Sequence, residues 1–334
     1  MEQLLKKIEG HTILVTGATG LIGQTFVKSI LKYNKSATNT INVIAQIRNK
    51  AKAIQLFGEK TYNLDYVIGD ISKVDLSNIN VDYIIHAASQ TSSRDFVTNP
   101  VETISVAIDG TRHILEFAKK QSLKRFVYLS TMEVYGTPQS DEKIDELQPT
   151  NLDTMQVRSC YPESKRMCEN LCVSYASEYG IPINVLRLTQ TFGPGVSYYD
   201  GRVFAEFARC VIENKNITLK TKGDTKRSYL YTEDAISAIL KVMTANVAGE
   251  VFNVANENTY CSIYEMAKLV AQTISKGSID VVIAEDHSNY NGYAPTLHMN
   301  LDTSKLCSLG WKASTSLTQM FVELIHWMRE HKYE

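Results

Sequence analysis

"HTILVTGATGLIG", residues 11–23, opens as a run of apolar and β-branched side chains, then turns through three glycines into a helical pattern. Branched side chains favour an extended chain, so the stretch reads as a strand, a tight turn and a helix start. Gly17, Gly20 and Gly23 stand at GxxGxxG spacing on that turn. Glycine there permits positive φ and lets backbone N–H groups approach a pyrophosphate, which then rests on the positive end of the helix dipole. Leu21 and Ile22, between the second and third glycines, are further candidate contacts for a bound dinucleotide.

Beyond this turn the same strand-then-helix rhythm repeats. "INVIAQI" (41–47), "DYVIG" (65–69), "DYIIHAA" (82–88), "RFVYLS" (125–130) and "INVLRL" (183–188) read as further strands. Most are apolar along their whole length, so helices should cover both faces, as in an α/β doubly wound parallel sheet. Pro100 opens the helix after Asn99, at a position where a missing N–H costs nothing. After residue 188 the pattern loosens, and "EVFNVANENTYCS" (250–262) reads as a late strand returning to the sheet. The expected organisation is a dinucleotide-binding domain over 1–188, with a late return near 229–258. A smaller, interleaved C-terminal substrate lobe takes 189–228 and 259–334.

Composition narrows the partners. Thirty-five Lys and Arg against 36 Asp and Glu leave no basic field for nucleic acid. The charged start "MEQLLKKIEG" lacks a signal-peptide core, and no apolar run approaches the roughly 20 residues that span a bilayer. A cytoplasmic protein with a small-molecule partner and no membrane contact is expected. Six cysteines form no CxxC pair, read as reduced thiols, and suggest no metal site.

The second strand ends in "QIRNK", with Gln46 and Arg48 where an acid normally meets the ribose 2′-hydroxyl of NAD. Loss of that acid removes a repulsion and Arg48 can pair with a 2′-phosphate, so NADP is favoured over NAD, with NAD the alternative. Asp70, in "GDIS" (69–72), is placed to accept from an adenine amine, beside Ile71. Ala87 and Ala88, after the fourth strand, complete the candidate cofactor contacts.

"RSCYPESKR" (158–166) puts Tyr161 and Lys165 one helical turn apart on one face. A phenol ionises near pH 10, so service as a base at neutrality needs about 4 kcal/mol of anion stabilisation, which a neighbouring ammonium and a nicotinamide cation can supply. Upstream, "LSTMEVYG" (129–136) carries the hydroxyls Ser130 and Thr131.

These motifs, with "IIHAAS", "TFGPG" and "RSYLYTEDA" in the same order, resemble the extended short-chain dehydrogenase/reductase family along nearly the whole chain, especially its nucleotide-sugar epimerases, dehydratases and decarboxylases. The resemblance implies a Rossmann fold and oxidation of a sugar 4-hydroxyl. Tyr161 would take the proton and hydride would pass to the nicotinamide. Lys165 would lower the tyrosine pKa and hold the nicotinamide ribose, while Thr131 would bond the substrate hydroxyl. It also implies nucleotide-sugar contacts at Gln190, Arg202 and Arg227, and a homodimer through a four-helix bundle built from about 100–120 and 162–179. Arg202 reads equally as a surface charge.

The fate of the 4-keto sugar depends on the residues beside the hydroxyl, among them Glu133, for which a base and a substrate-orienting role both stand open. Dehydratases of dTDP-glucose carry Asp-Glu where this chain has Met132-Glu133, and methionine donates no proton. A glutamate there also occurs in UDP-glucuronate decarboxylases, whose tyrosine segment "RSCYPESKR" resembles most closely. The chain departs from the decarboxylases at the missing NAD acid, at Gln190 in place of an asparagine, and in "PTLHMNLDTSK" (295–305), where His298 alone replaces a basic motif. An NADPH-dependent reductase of a 4-keto nucleotide sugar, and a non-catalytic dinucleotide-binding protein, are the competing expectations. His86 and Trp311 read as structural residues.

Overall fold

A computed structural model describes residues 1–284 and 296–332; Pro295, the first residue of the late segment read above, lies outside them. Six strands carry the glycine-turn rhythm: β1 (Thr12–Thr16), β2 (Asn42–Ile47), β3 (Leu64–Ile68), β4 (Tyr83–His86), β5 (Arg125–Thr131) and β6 (Ile183–Leu188). With them run α1 (Glu2–Lys6), α2 (Leu21–Asn34), α3 (Lys50–Phe57), α4 (Asp95–Thr98), α5 (Pro100–Ala118) and α6 (Cys160–Tyr179). Pro162 is the third residue of α6 rather than its first, in the turn where no intrahelical N–H bond is lost.

The second half supplies β7 (Gln190–Phe192), α7 (Val203–Glu213), β8 (Ile217–Leu219), β9 (Lys226–Tyr231), α8 (Thr232–Thr244), β10 (Val251–Val254) and β11 (Asn256–Ser262). It continues through α9 (Ile263–Leu269), β12 (Val281–Ile283), β13 (His298–Met299), α10 (Ser304–Ser308) and α11 (Leu317–Glu330).

Seven parallel strands form the main sheet in the order β10-β6-β5-β4-β1-β2-β3. Alternate side chains of each strand feed opposite layers, as the two-residue period of a strand requires. Ile13, Val15, Val43, Ile85 and Val127 pack with α2 and α8, whereas Leu14, Ile84, Phe126 and Tyr128 pack with α5 and α6. Because β1 leads outward to β2 and β3 while the chain then crosses back to β4, the connections after β1 and β4 part and open a crevice at their carboxyl ends.

The late strand divides in two. Val251–Val254 joins the main sheet beside β6, but Asn256–Ser262 leaves it and pairs antiparallel with β9 in a small sheet that also holds β7 and β13. That small sheet, α7, α9 and α11 enclose a separate aromatic core in which Phe192 stacks on Phe204 at 4.6 Å and meets Phe321 at 5.2 Å. Between the lobes the chain is interleaved: α8 returns to the first core, and Trp311 is buried there with its indole N–H donating to Ser237 at 2.9 Å.

Candidate active site

The glycine turn is locked by close approach. Gly17 has φ +63°, and a Cβ on it would lie 2.7 Å from the Ala88 Cα; one on Gly23 would lie 2.4 Å from the Gly17 carbonyl oxygen. Either contact is impossible, so side chains at these two positions would separate β1 from β4 or lift α2 off the turn. No side chain caps α2, whose N-cap is Gly20, so the free N–H groups of its first turn remain available to an anion. At the floor, Thr16 Oγ1 accepts from the N–H groups of Ala87 and Ala88 and shares a 2.7 Å hydrogen bond with His86 Nδ1. His86 also bonds Thr111, and burial, helped by the charge of Lys165, pushes its pKa down to about 3. It is a neutral structural linker.

Gln46 is also structural here. Its buried amide accepts from the Gly17 N–H at 3.2 Å and donates to the Gly69 carbonyl at 2.8 Å, tying the ends of three strands together. Arg48 is exposed on the cleft edge, and Lys52, which no sequence motif singles out, lines the cleft with it. Asp70 accepts from the Ser72 hydroxyl and N–H, bonds that hold its carboxyl below the usual range with help from Arg48. Ile71 is buried beside it.

Thr131, at the carboxyl end of β5, and Tyr161, in the first turn of α6, line the same stretch of cleft. Tyr161 is buried and stacked on Phe96, ring centroids 4.2 Å apart and planes within 9°. Burial and then the Glu133 charge push the phenol well above its ordinary pKa, while Thr131, Arg158 and Arg202 act against them. Lys165, one turn on, donates to the Leu129 carbonyl at 2.8 Å and lies 4.8 Å above the Tyr128 ring. Burial lowers its ammonium to about 8. Beneath them Glu169 braces the strand, accepting from Ser130 at 2.5 Å and from Arg187 at 2.7 Å.

Glu133 sits on the 3-10 turn after β5, and its carboxylate accepts two donors of Arg158, at 2.8 and 3.3 Å. Arg158 in turn lies 5.7 Å from the Phe96 ring centroid. Sequence reading misses both Arg158 and Phe96. Arg158 stands inside the tyrosine segment, three residues before Tyr161, and that proximity is the one signal available. Met132 is buried, its sulfur accepting from the Thr189 hydroxyl.

The far end of the cleft carries the cations Arg202, Lys220, Lys222 and Arg227 among the carboxylates Asp200, Glu206 and Asp224. Arg227 donates to the Gln190 side chain at 3.1 Å, so Gln190 orients the arginine. Arg202 is paired with Asp200 through Nε at 3.0 Å and Nη2 at 2.6 Å, and lies over the Phe204 ring. Lys220 and Lys222 line the same end. His298 is outside this lining: it meets Asp141 at 3.1 Å, and Thr296 is what its segment contributes to the cleft. One cleft of about 1700 Å³ runs from Gly17 past Thr131, Tyr161 and Lys165 to Gln190, Arg202 and Arg227.

A dinucleotide turn at the switch point of a parallel sheet, continuous with a Thr-Tyr-Lys cluster, defines a nicotinamide-dependent class of α/β enzyme. The sequence profile of the NAD dependent epimerase/dehydratase family matches residues 13–255, and the chain belongs to that family. UDP-glucuronic acid decarboxylase 1 of Xenopus tropicalis is 27% identical over 328 residues, 98% of this chain and 74% of the relative. UDP-glucuronic acid decarboxylase 3 of Arabidopsis thaliana is 30% identical over 277 residues, 82% of this chain and 77% of the relative. In fold, the chain is similar to the UDP-glucose 4-epimerase of Thermotoga maritima, solved with UDP-glucose, at TM-score 0.81 and 23% identity over 96% of this chain and 99% of that one.

Proposed function

We propose that the chain oxidises the C4 hydroxyl of a nucleoside-diphosphate sugar and returns the hydride within the same cycle, giving an epimerised, dehydrated or decarboxylated sugar. The observation that supports this is the continuity of the glycine turn, the Thr131–Tyr161–Lys165 cluster and the Arg227 end in one cleft. A bound nicotinamide dinucleotide supplies the hydride acceptor, and the steric closeness of Gly17 and Gly23 to neighbouring backbone fits such a group. Thr131 and Tyr161 bond the sugar hydroxyl and Tyr161 takes its proton. Since burial and Glu133 oppose the phenolate, the cations Arg158 and Arg202 are needed to offset them. Glu133, oriented by its two bonds from Arg158, is the base available for the step after oxidation. Arg227, oriented by Gln190, receives the diphosphate, for which a guanidinium is suited.

A second reading is an NADPH-dependent reductase of a 4-keto nucleotide sugar, favoured by Arg48 and Lys52 on the cleft edge and by the absent acid at the end of β2. Mass spectrometry of small molecules released from the denatured protein separates the two. Retained dinucleotide supports internal recycling. An empty protein that binds NADPH reversibly supports the reductase. Turnover of nucleotide sugars that survives Tyr161→Phe excludes both, and its absence in the wild type leaves a non-catalytic binder.

The homodimer belongs to the same proposal. Val101 and Ile104 on α5 and Met167 and Val173 on α6 are exposed apolar residues on the two helices expected to form a four-helix bundle. Six free cysteines suit a cytoplasmic setting, and no helix among the described residues is long and apolar enough to cross a membrane.

A further inference from the structure

At the amino ends of β4 and β5, on the opposite edge of the sheet from the cleft, a buried arginine has no counter-ion among the described residues. Arg125 is 8% exposed. Its Nη2 donates to the Ala245 carbonyl at 3.0 Å, at the end of α8. Nε and Nη1 are buried and find no hydrogen-bond partner among the described residues. The Asp82 carboxylate, one residue before the Tyr83 that pairs with Arg125, accepts from the Thr12 N–H at 2.8 Å and takes no bond from Nε or Nη1. A guanidinium keeps its charge under these conditions, and a buried charge left uncompensated is strongly destabilising.

A cavity of about 310 Å³ opens against this arginine. Lys7, at the end of α1, and Lys124 line it and are exposed, Tyr83 adds a phenol, and no acidic side chain among the described residues contributes to the lining. The C-terminal carbonyls of α8 account for one donor of Arg125; they do not account for the other two, nor for two lysines converging on the same cavity. We propose that this cavity is an anion site that takes a phosphate group, inorganic or as a monoester, with Arg125 at its base and Lys7 and Lys124 at its mouth. Thr131 lies six residues along β5 from Arg125, about 20 Å at strand spacing, so the site is separate from the catalytic cleft. Phosphate seated there would tie α1 to the end of α8.

The test is thermal unfolding of the full chain titrated with inorganic phosphate or glycerol 3-phosphate, against sodium chloride at matched ionic strength. Three proteins are compared: wild type, Lys7→Gln/Lys124→Gln and Arg227→Gln. The lysine positions are exposed, so the double variant retains the fold, whereas Arg125 also holds Ala245 and is left intact. The expected result is a phosphate-dependent rise in Tm that persists in Arg227→Gln, with the apparent Kd at least tenfold weaker in the lysine double variant. A smaller change in that variant, loss of the effect in Arg227→Gln, or an equal effect of chloride overturns the proposal. Tighter binding of glycerol 3-phosphate than of phosphate identifies an ester site, and the reverse an inorganic one.

Discussion

Arg158 donates twice to Glu133, and the pair stands against Tyr161 on the wall of the cleft. The two partners act on the phenol with opposite sign, Glu133 raising its pKa and Arg158 lowering it. Glu133→Gln is expected to bring tyrosinate formation at Tyr161 to lower pH by about one unit, and Arg158→Gln to delay it. Tyrosinate absorbance, taken as the difference from Tyr161→Phe in each background, measures this. Identical curves would show that the pair does not govern the phenol.

Lys165 carries a stability cost. Its folded pKa of about 8 lies below the 10.5 of an exposed lysine. Below pH 8 both states are protonated and the buried charge is fully unfavourable. As pH rises from 8 towards 10.5 the unfolded state holds the extra proton, so stability climbs. Lys165→Met is therefore expected to be more stable than wild type at pH 7, by up to about 3 kcal/mol, with the gap closing by pH 10. Denaturant unfolding at the two pH values checks this, and a variant less stable at pH 7 contradicts it.

His86 gives the converse dependence. With a folded pKa of about 3 against 6.5, it binds a proton only in the unfolded state between those values. Stability falls as pH drops through that window, by up to roughly 5 kcal/mol. His86→Gln should unfold with a flatter acid profile, by circular dichroism between pH 6.5 and 3.

For the cofactor, Arg48→Ala is expected to weaken NADP(H) binding about tenfold while leaving NAD(H) within a factor of two. Titration of the protein against NADPH and NADH fluorescence reads the ratio directly. Equal losses for both would assign Arg48 to the shared part of the dinucleotide.

Val101, 74% exposed on α5, is the sharpest probe of the proposed dimer. Light scattering at micromolar concentration should give a dimer mass for the wild type and a monomer for Val101→Lys. A wild-type monomer removes the four-helix bundle from the proposal.

Much of the main sheet is legible in the sequence because its strands are apolar along their length: all six early runs are strands of a parallel sheet within a residue or two. The second lobe is less so. Strands such as β8, β12 and β13 span two or three residues, too few for alternation to register. "EVFNVANENTYCS" reads as one strand, yet the chain changes sheets at Ala255, a tertiary choice with no local marker. At the site, Tyr161 and Lys165 are visible as a local i,i+4 pair. Phe96 meets Tyr161 from 65 residues upstream, and Arg158 meets Glu133 across 25, so neither partnership has a sequence period to betray it.

Gln46 has a bearing on redesign. An engineer wishing to strengthen a ribose contact for NAD would place an acid at the end of β2, and position 46 is an obvious choice. A carboxylate there accepts from Gly17 but offers nothing to Gly69, whose carbonyl would face a negative charge in place of an amide. The substitution would slacken the turn that any dinucleotide must use, so the ribose contact is better sought at Arg48 and Lys52, whose side chains lie exposed on the cleft edge.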